Sequence, residues 1–402
     1  MHPTLEIKGT KSNKLLGKKI VLGITGSIAA VETPKLCREL VRHGADVFPV
    51  MSDKAEDIIT PESIHFGAGR PPVTRLDGAV QHVEFFSTKE KADLLLVSPC
   101  TANTISKIAC GIDDTPVTTC ATTAIGAGVP VIIVPAMDLS MWKHPVLCDN
   151  IKKLEKLGIR FIRPMISENK AKIIGFERIV TEVKRELGKC DLAGKKVLVI
   201  AGSTEEYIDD IRMISNKSSG ETGVSNAIAA YERGADVELW MGRCSVAIPE
   251  YIKTRRFSST AELRSMVEKI GKYDIILVPA AVSDYTVQKT PGKMPSDRSK
   301  LVLTLHKTQK ILPLIRKRSR AYIVASKLES GVSREELISK AKKRMDEHDI
   351  EMIVANDINN VARGKNAVAI ITRKGCVSEI TASKEMVADE ILDRVIADVR
   401  KK

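Results

Sequence analysis

The sequence predicts an α/β fold of two doubly wound domains, each a parallel sheet between two layers of helices. Short apolar runs rich in β-branched residues alternate with longer stretches of helical periodicity, which is the pattern of parallel βαβ units. The alternation stops once, at the polar segment 188–194, and then begins again. Because a chain of 402 residues exceeds one typical domain, we expect domains at 1–189 and 190–402.

The first domain is expected to alternate strands and helices in a regular order. Leu36, Cys37, Leu40 and Val41 make an apolar helix stripe with i, i+3 and i, i+4 spacing, and Gly44 ends that helix. The segment 176–187 has the pattern of a closing helix. The expected strands are 18–25, 45–51, 94–98, 129–134 and 159–162.

The second domain shows the same alternation without an obvious sequence repeat. We expect a polar loop at 201–212, a helix at 221–233 and a terminal amphipathic helix at 383–402. The expected strands are 195–200, 236–241, 274–278, 322–325, 352–355 and 367–371.

Cysteine usage and hydropathy indicate a cytoplasmic protein without a membrane partner. The eight Cys are scattered, with no C-x-x-C and no metal-ligand spacing. Residues 1–16 lack the apolar region of a secretory signal. The longest apolar run, 129–137, is too short to span a bilayer and contains two prolines.

The net charge of +13 raises the question of a nucleic-acid partner. Aromatic residues make up only 4% of the chain, and Lys and Glu interleave along the expected helices. We therefore interpret the charge as solvated surface plus sites for anionic small molecules, and expect no nucleic acid.

Three loops of the first domain follow expected strands and should meet at one edge of the sheet. Gly26-Ser27 opens a helix, so small residues let a phosphate approach its N-terminus and Ser27 can donate to it. The loops 98–104 and 135–142 also come directly after strands. Ligands of doubly wound sheets bind at the carboxyl ends of the strands, so we expect a binding site here.

The stretch Ile214 to Gly220, I-S-N-K-S-S-G, is the corresponding feature of the second domain. A small-residue turn before a helix leaves backbone N–H groups that suit an anion, most often a phosphate. Asn216 adds a donor and an acceptor, and Arg212 adds a forked cation. From residue types alone, a polar loop that merely caps the helix remains an equal alternative.

The loops of the first domain resemble those of the flavin-containing cysteine decarboxylases, a flavodoxin-like, trimeric family that binds FMN. The turn 26–30 is similar to the family's FMN-phosphate turn, and 98–103 to its P-A-T-A-N loop. His82 falls where the family carries its catalytic histidine, and 137–142 resembles its substrate loop. The resemblance implies an FMN site made of Gly26, Ser27, Ile28, Ser52, Ser98, Thr101, Ala102, Asn103 and Met137.

Two residues depart from the decarboxylase pattern. Asp138, expected with Met141 to contact substrate, stands where the family has Asn, so it is either protonated or in contact with the substrate's amide. Lys172 lies at or near the reactive Cys of the family's flap, here 167–173, and is either the proton donor or a surface residue. Because His82 and the FMN loops persist, we expect the first domain to be an active decarboxylase.

The second domain resembles the phosphopantothenate–cysteine ligases of coenzyme A biosynthesis. The ordered string from Gly202 through Thr204 and Arg212 to Gly220 matches the signature of that family. The segment 280–285 is similar to its A-A-V-A-D-Y, and Lys293 lies in the place of its mobile lysine loop. Ala325-Ser326 replaces the family's Gly-Phe, which leaves the nucleotide preference open.

The ligase resemblance implies catalytic roles for Arg212, Asn216 and Lys293, substrate contacts by Asn216 and Ala280, and Mg²⁺ at Asp284. The implied nucleotide-binding residues are Gly202, Ser203, Thr204, Ser218, Ser219, Gly220, Asp284, Lys293, Ser326, Lys327, Asn356 and Asp357.

The order of the two domains is that of the bifunctional enzymes of coenzyme A biosynthesis, in an archaeal-like variant, and the resemblance extends from about 17 to 398. It implies CTP, phosphopantothenate and L-cysteine as substrates, FMN and Mg²⁺ as cofactors, and a homo-oligomer of trimeric first and dimeric second domains, hence a dodecamer. The alternatives are a ligase whose first domain binds FMN only for assembly, and a nucleic-acid-binding protein suggested by charge.

Overall fold

The computed structural model describes residues 2–167, 170–295, 300–362, 365–375 and 377–400. The chain divides into two compact units, Met1–Lys189 and Cys190–Lys402. Each unit is a sheet covered by helices, so the predicted α/β class is confirmed.

The first unit contains a five-stranded parallel sheet of order β2-β1-β3-β4-β6. Its strands are β1 (Lys19–Ile24), β2 (Asp46–Met51), β3 (Leu94–Cys100), β4 (Val131–Pro135), β5 (Met137–Asp138), β6 (Arg160–Phe161), β7 (Met165–Ser167) and β8 (Lys170–Lys172). Its α-helices are α1 (Pro3–Glu6), α2 (Thr33–Arg42), α3 (Asp53–Glu56), α4 (Pro61–Ala68), α5 (Gln81–Phe86), α6 (Ala102–Cys110), α7 (Pro116–Gly126), α8 (Leu139–Trp142), α9 (Pro145–Lys156) and α10 (Phe176–Leu187). A 3₁₀ helix covers Ile28–Glu32.

Alternating side chains of the sheet supply two cores. Ile20 and Leu22 of β1 pack into one cluster with Leu40 of α2, whereas Val21 packs into the other with Val117 of α7. The chain runs from β1 to β2 on one side and then returns to β3 on the other side of β1. The direction of winding therefore reverses between β1 and β3, and a crevice forms where their following loops diverge.

A second, smaller sheet of the first unit has the order β5-β8-β7. Met137 of β5 pairs with Ala171 of β8, and Met165 of β7 pairs with Lys172. The expected flap is thus an antiparallel hairpin that adds a strand to the expected substrate loop. Two of its residues, Glu168 and Asn169, lie outside the described residues.

The second unit is built on a larger sheet of order β13-β12-β9-β14-β17-β18-β20-β19, with β21 paired to β20. The strands are β9 (Lys196–Ala201), β10 (Glu205–Tyr207), β11 (Met213–Ser215), β12 (Asp236–Met241), β13 (Lys253–Arg256), β14 (Ile275–Val278), β15 (Tyr285–Val287), β16 (Leu305–Lys307), β17 (Tyr322–Glu329), β18 (Met352–Asp357), β19 (Val361–Ala362), β20 (Lys365–Thr372) and β21 (Val377–Ala382). The α-helices are α11 (Glu221–Glu232), α12 (Thr260–Glu268), α13 (Ile311–Arg318), α14 (Arg334–His348) and α15 (Lys384–Val399), and a 3₁₀ helix covers Ile358–Asn360.

The parallel part of this sheet reverses its winding between β9 and β14. One face packs on α11 and α15 through residues such as Val324 and Ile391, and the other packs on α13 and α14 through residues such as Ile323 and Ile315. The carboxyl ends of β9, β14, β17 and β18 consequently form one edge that is open between two helix layers, the usual place for a ligand.

Two features of the second unit differ from the sequence expectation. The polar segment 201–212, expected to be a loop, contributes β10 to an antiparallel hairpin with β11. The run 367–371, expected as another parallel strand, belongs to β20, which is antiparallel to β18. The chain between β18 and β20 is too short for a crossover helix, so only antiparallel pairing is open to it.

Candidate functional site

The expected phosphate turn of the first unit is closely packed. Ser27 caps the 3₁₀ helix, its hydroxyl accepting a hydrogen bond from the N–H of Ala29 at 3.5 Å. A Cβ added to Gly26 would lie 2.6 Å from the Cβ of Lys54 in α3. Ile28 is exposed. Glycine is therefore required at the point where the turn passes α3, and the N-terminal groups of the helix stay accessible.

Thr25 joins this turn to the loop after β3. Its hydroxyl donates to the carbonyl oxygen of Pro99 at 2.9 Å and accepts from the N–H of Thr101 at 3.0 Å. Thr101 caps α6 by accepting from the N–H of Thr104 at 3.2 Å. The two FMN loops expected from sequence are thus brought together, with Ala102 half-buried and Asn103 exposed in the first turn of α6.

Two serines beside these loops have hydroxyls without a hydrogen-bond partner. Ser52, directly after β2, is 6% exposed, and Ser98, within β3, is 1% exposed. Neither Oγ atom has a partner in the described part of the chain. Leaving a buried hydroxyl unsatisfied costs about 1–3 kcal/mol, so both groups suit a polar ligand that completes their hydrogen bonding.

His82 lies in α5, which packs on α7. Its Nδ1 atom is buried and has no hydrogen-bond partner among residues 2–167 and the other described ranges. The helix begins after Val80, whose φ of 46° is left-handed, unusual for a β-branched residue. An unpaired ring nitrogen is what a histidine kept for proton transfer requires.

The expected substrate and proton-donor residues share the small sheet. Asp138 pairs with Lys170 along β5 and β8, and Lys172 follows two residues later, half-buried. Asp138 is exposed and caps α8, accepting from the N–H of Ser140 at 2.8 Å and from the Ser140 hydroxyl. Met141 is exposed in α8 and Met137 is half-buried.

In the second unit, glycines bring the loop after β9 close to its neighbours. Gly202 has a φ of 79°, and a Cβ there would lie 2.7 Å from the carbonyl oxygen of Arg243. A Cβ on Gly223 of α11 would lie 2.1 Å from the Cβ of Ala201. Gly220 opens α11 with a φ of 80°. The N-terminus of α11 is thereby seated on the end of β9.

Ser203 and Thr204 are buried and support the site instead of facing it. The hydroxyl of Ser215 donates to the Oγ of Ser203 at 3.1 Å. The Oγ1 of Thr204 accepts from the N–H of Ser283 at 2.9 Å and lies 3.2 Å from the hydroxyl of Thr260. Any nucleotide contact by these two residues must therefore use their backbone.

Asn216, Arg212 and Lys293 are held by neighbouring loops. The Nδ2 of exposed Asn216 donates to the carbonyl oxygen of Ala281 at 3.1 Å. The guanidinium of Arg212 lies 3.2 Å from Asp209, whose pKa is lowered chiefly by the N–H of Arg212. Lys293 is exposed and follows Gly292, whose N–H donates to the carboxylate of Asp210 at 3.0 Å.

A cavity of about 400 Å³ lies at the open edge of the second sheet. It collects six residues expected from sequence, namely Ser218, Ala280, Asp284, Ser326, Lys327 and Asn356. Its lining does not include Gly202, Ser203, Thr204, Arg212, Asn216, Ser219, Gly220, Lys293 or Asp357. Asp357 is buried, and its carboxylate accepts from the N–H groups of Val332 and Asn359, which lower its pKa.

The cavity also contains basic residues that the sequence interpretation missed. Lys310, at the N-cap of α13, lies 2.5 Å from Asp284. Arg344 and His348, one turn apart on α14, have a buried Nε and a buried Nδ1 without partners in the described ranges. Burial, and then Arg344, lower the pKa of His348. The sequence signal for Arg344 and His348 was their i, i+4 spacing. It was weak because α14 contains many other Lys and Arg residues.

The described residues contain no group of three or more His, Cys, Asp and Glu that could hold a metal ion. In the same residues no helix is both long enough and apolar enough to cross a membrane.

Two protein-family profiles together match nearly the whole chain. A profile described as Flavoprotein matches residues 8–188, and one described as DNA/pantothenate metabolism flavoprotein C-terminal domain matches residues 192–399. The chain is 45% identical to the coenzyme A biosynthesis bifunctional protein CoaBC of Thermococcus kodakarensis, over 98% of this chain and 99% of that protein. It is 37% identical to the protein of that name from Methanocaldococcus jannaschii, over 98% and 97%.

A solved structure of the C-terminal domain of a coenzyme A biosynthesis bifunctional protein CoaBC is also similar. It is 27% identical, covers 53% of this chain and 99% of that chain, and has a TM-score of 0.45.

Proposed function

The chain belongs to the family of coenzyme A biosynthesis bifunctional proteins CoaBC, and from this premise we propose that it ligates cysteine to phosphopantothenate and then decarboxylates the product to phosphopantetheine. Family membership confirms the resemblance inferred from sequence. The single observation that carries the ligase half is the cavity of the second unit, which has one part rich in basic side chains and another made mostly of uncharged polar groups.

A nucleoside triphosphate suits this cavity, and we propose CTP as the natural one. Lys310, Lys327 and Arg344 provide the cations for a polyphosphate, and His348 adds a ring nitrogen beside them. A carboxylate is a poor acyl donor, so activation as an acyl-nucleotide with release of pyrophosphate supplies a leaving group, which the amine of cysteine then displaces. Asn216 is proposed to hold the acyl group, and Arg212 the substrate's anionic end.

Lys293 and Mg²⁺ are proposed to neutralise charge that develops on the phosphates. Mg²⁺ usually binds through one or two protein carboxylates and completes its shell with phosphates and water. Asp284 fits this pattern as a single exposed carboxylate, with Lys310 as its partner in the nucleotide-free protein. It would hold the ion only together with the nucleotide's phosphates.

FMN is the proposed cofactor of the first unit. The strand order, with its reversal between β1 and β3, is the flavodoxin-like order whose flavin site lies at that reversal. The unpaired hydroxyls of Ser52 and Ser98, the capped turn at Ser27 and the N-terminus of α6 provide donors suited to it. When bound, the flavin would supply the electron sink that loss of CO₂ requires.

The protein's own residues would then handle protons and orientation. His82 is proposed as the base, because its Nδ1 has no partner in the described structure; such a positioned group is typically worth about 10²–10⁴-fold in rate. Lys172 is proposed to return a proton to the product, and the β5–β8 pairing keeps its strand beside the substrate loop. Asp138 caps α8, as the family's Asn can also do.

We also propose a cytoplasmic homo-oligomer with trimeric first and dimeric second domains, as in the families that the sequence resembles. Seven cysteines of the described residues are free, which suits a reducing compartment. Light scattering of the purified protein tests the oligomer, and a monomer in solution would contradict it.

The deciding experiment supplies phosphopantothenate, cysteine, Mg²⁺ and CTP to the FMN-loaded protein and measures pyrophosphate, amide product and CO₂. We expect all three. His82→Asn should abolish CO₂ release but not ligation, and Lys172→Ala should release CO₂ while an oxidised aminoenethiol accumulates. If wild type ligates but releases no CO₂ with FMN bound, the first unit is an assembly module; if it uses no nucleotide, the ligase proposal is wrong.

A further inference from the structure

The cavity of the second unit has two chemically different parts on opposite faces of the sheet. Side chains alternate along β17, so Lys327 continues the row of Ile323 and faces the α13 and α14 layer. Ser326 continues the row of Val324 and faces the α11 and α15 layer, as Asn356 does after Val354. Most basic residues of the lining thus lie on the side of α13 and α14. The other side carries uncharged polar groups, together with Lys217, which precedes α11.

The uncharged part, which we call the polar recess, is made by Thr222, Asn226, Ser326 and Asn356. Thr222 and Asn226 are four residues apart on α11 and share one face of it. The walls around the recess are aliphatic and come from the sheet and α15, through residues such as Val354 and Ile391.

Asn226 is the residue of the recess on which the inference depends. It is 5% exposed, on a helix face that packs against the sheet, yet no described residue hydrogen-bonds its carboxamide. The side chains of Thr222, Ser326 and Asn356 likewise have no hydrogen bond to any other described residue. Its carboxamide lines the cavity and is available to a hydrogen-bonding ligand there. A leucine in its place would fit the aliphatic surroundings but could make no such hydrogen bond.

The ligand that fits both parts has a polyanionic end joined to a flat, uncharged end with donors and acceptors. The phosphates belong on the cationic side, so the heteroaromatic end falls in the recess. Resting on the proposed ligase function, we propose that Asn226 reads the nucleobase through its hydrogen-bonding edge and is a specificity-determining residue of the nucleotide site.

This assignment also accounts for Ser326. A site without an aromatic side chain at this place cannot hold a base by stacking, so hydrogen bonds to its edge must carry more of the binding. A carboxamide presents one donor beside one acceptor, which matches the N4–H and N3 of cytosine or the N6–H and N1 of adenine. The same amide can also pair with O4 and N3–H of uracil or with O6 and N1–H of guanine, so the way the base enters the recess sets the preference. Guanine alone also presents two adjacent donors, N1–H and N2–H, which suit a carboxylate better than a carboxamide.

The test compares wild type with Asn226→Leu and Asn226→Asp in the full, FMN-loaded chain. Pyrophosphate release is measured with phosphopantothenate and each of CTP, ATP, UTP and GTP. We expect Asn226→Leu to raise KM for the preferred nucleotide about 5- to 150-fold, the discrimination typical of one bidentate contact to a base edge, with kcat little changed. Asn226→Asp should move the preference towards GTP, because a carboxylate accepts two donors.

Two controls separate base recognition from damage to the helix. Ser225→Ala changes the neighbouring buried residue of α11, which does not line the cavity, and should leave KM and preference unchanged. Inorganic tripolyphosphate, which has no base, should inhibit wild type and Asn226→Leu at the same concentration.

Unchanged nucleotide preference in both Asn226 variants would overturn the inference while leaving the ligase proposal intact. The inference would also be overturned if Asn226→Leu weakened inhibition by tripolyphosphate as much as it weakened nucleotide binding. The substitution would then have disturbed the whole cavity and not the base site alone. A wild type that releases no pyrophosphate from any of the four nucleotides overturns the ligase proposal and this inference with it.

Discussion

Ser98→Ala should have opposite effects on the flavin-free and flavin-bound protein. Ser98 is 1% exposed, and its Oγ atom is buried without a hydrogen-bond partner in the described structure. Removing it takes away an unsatisfied buried group, which stabilises the free protein by up to about 1–3 kcal/mol. If the hydroxyl binds FMN, the same change removes one hydrogen bond of about 0.5–1.5 kcal/mol and weakens FMN binding about 2- to 10-fold.

The change in stability and the change in FMN affinity can be measured separately. For a unit of this size, 1 kcal/mol shifts Tm by about 2–4 °C, so scanning calorimetry of the stripped protein should show the first unit melting higher in the variant. Quenching of flavin fluorescence on titration gives the Kd for FMN. The stabilisation by saturating FMN should shrink in the variant, because ligand-linked stabilisation depends on Kd.

Thr25→Val is the matched control, since Thr25 is as buried as Ser98 but its hydroxyl makes two hydrogen bonds. It should lower the Tm of the stripped protein by leaving the N–H of Thr101 unpaired, whereas the carbonyl oxygen of Pro99 keeps the hydrogen bond from the N–H of residue 25. A Ser98→Ala protein that melts lower when stripped and binds FMN as wild type does would refute the assignment of this hydroxyl to the flavin.

Three further outcomes are expected. Asn216→Asp should still release pyrophosphate but accumulate an acyl-nucleotide, whereas Lys293→Gln should slow pyrophosphate release itself. Mass spectrometry of quenched reactions distinguishes the two variants. Equal loss of both steps in both variants would contradict the separate roles. Asp138→Asn should keep or raise the rate of CO₂ release at neutral pH and flatten its pH dependence, because Asn also caps a helix; a large loss of activity would show that the carboxylate itself is needed. Burial lowers the pKa of His43 from 6.5 to about 4. As pH drops, the unfolded chain therefore protonates His43 before the folded protein does, and the free energy of unfolding should fall between pH 6.5 and 4. Denaturant titrations should show a shallower fall for His43→Gln, and the same dependence on pH in both proteins would contradict this role of His43.

The sequence predicted the fold well where local patterns decide the structure. Strands such as β1 and β9 are β-branched apolar runs, and their parallel pairing follows from the helices between them. It did not predict the β10–β11 hairpin, because the polar residues between Glu205 and Ser215 become ordered by contacts with distant segments, as when Glu205 donates its N–H to Ser258.

The candidate site residues were also predicted only where local sequence patterns identify them. Motif spacing identified Asp284 and Asn356, which the structure brings together in one cavity, and Ser98 near the end of β3. Each lies at or after the carboxyl end of a strand, where a ligand of a doubly wound sheet is expected. Asn226 carried no such signal, since a polar residue in a helix is ordinary until its face is known to be buried. Lys310 was missed because its partner Asp284 is distant in sequence and only the fold brings them together.

The packing of α15 on α11 bears on how the second unit assembles. Arg233, at the end of α11, donates to the carbonyl oxygen of Asp389 across a sequence separation of 156 residues and pairs with Asp393 at 2.9 Å. Val387 and Ile391 share one core with Val199 of β9. Contacts so distant require a large loop to close before they contribute stability, which slows folding. Until α15 docks, α11 alone covers that aliphatic face of the sheet. The apolar surface left open then makes the nascent or refolding unit prone to aggregation.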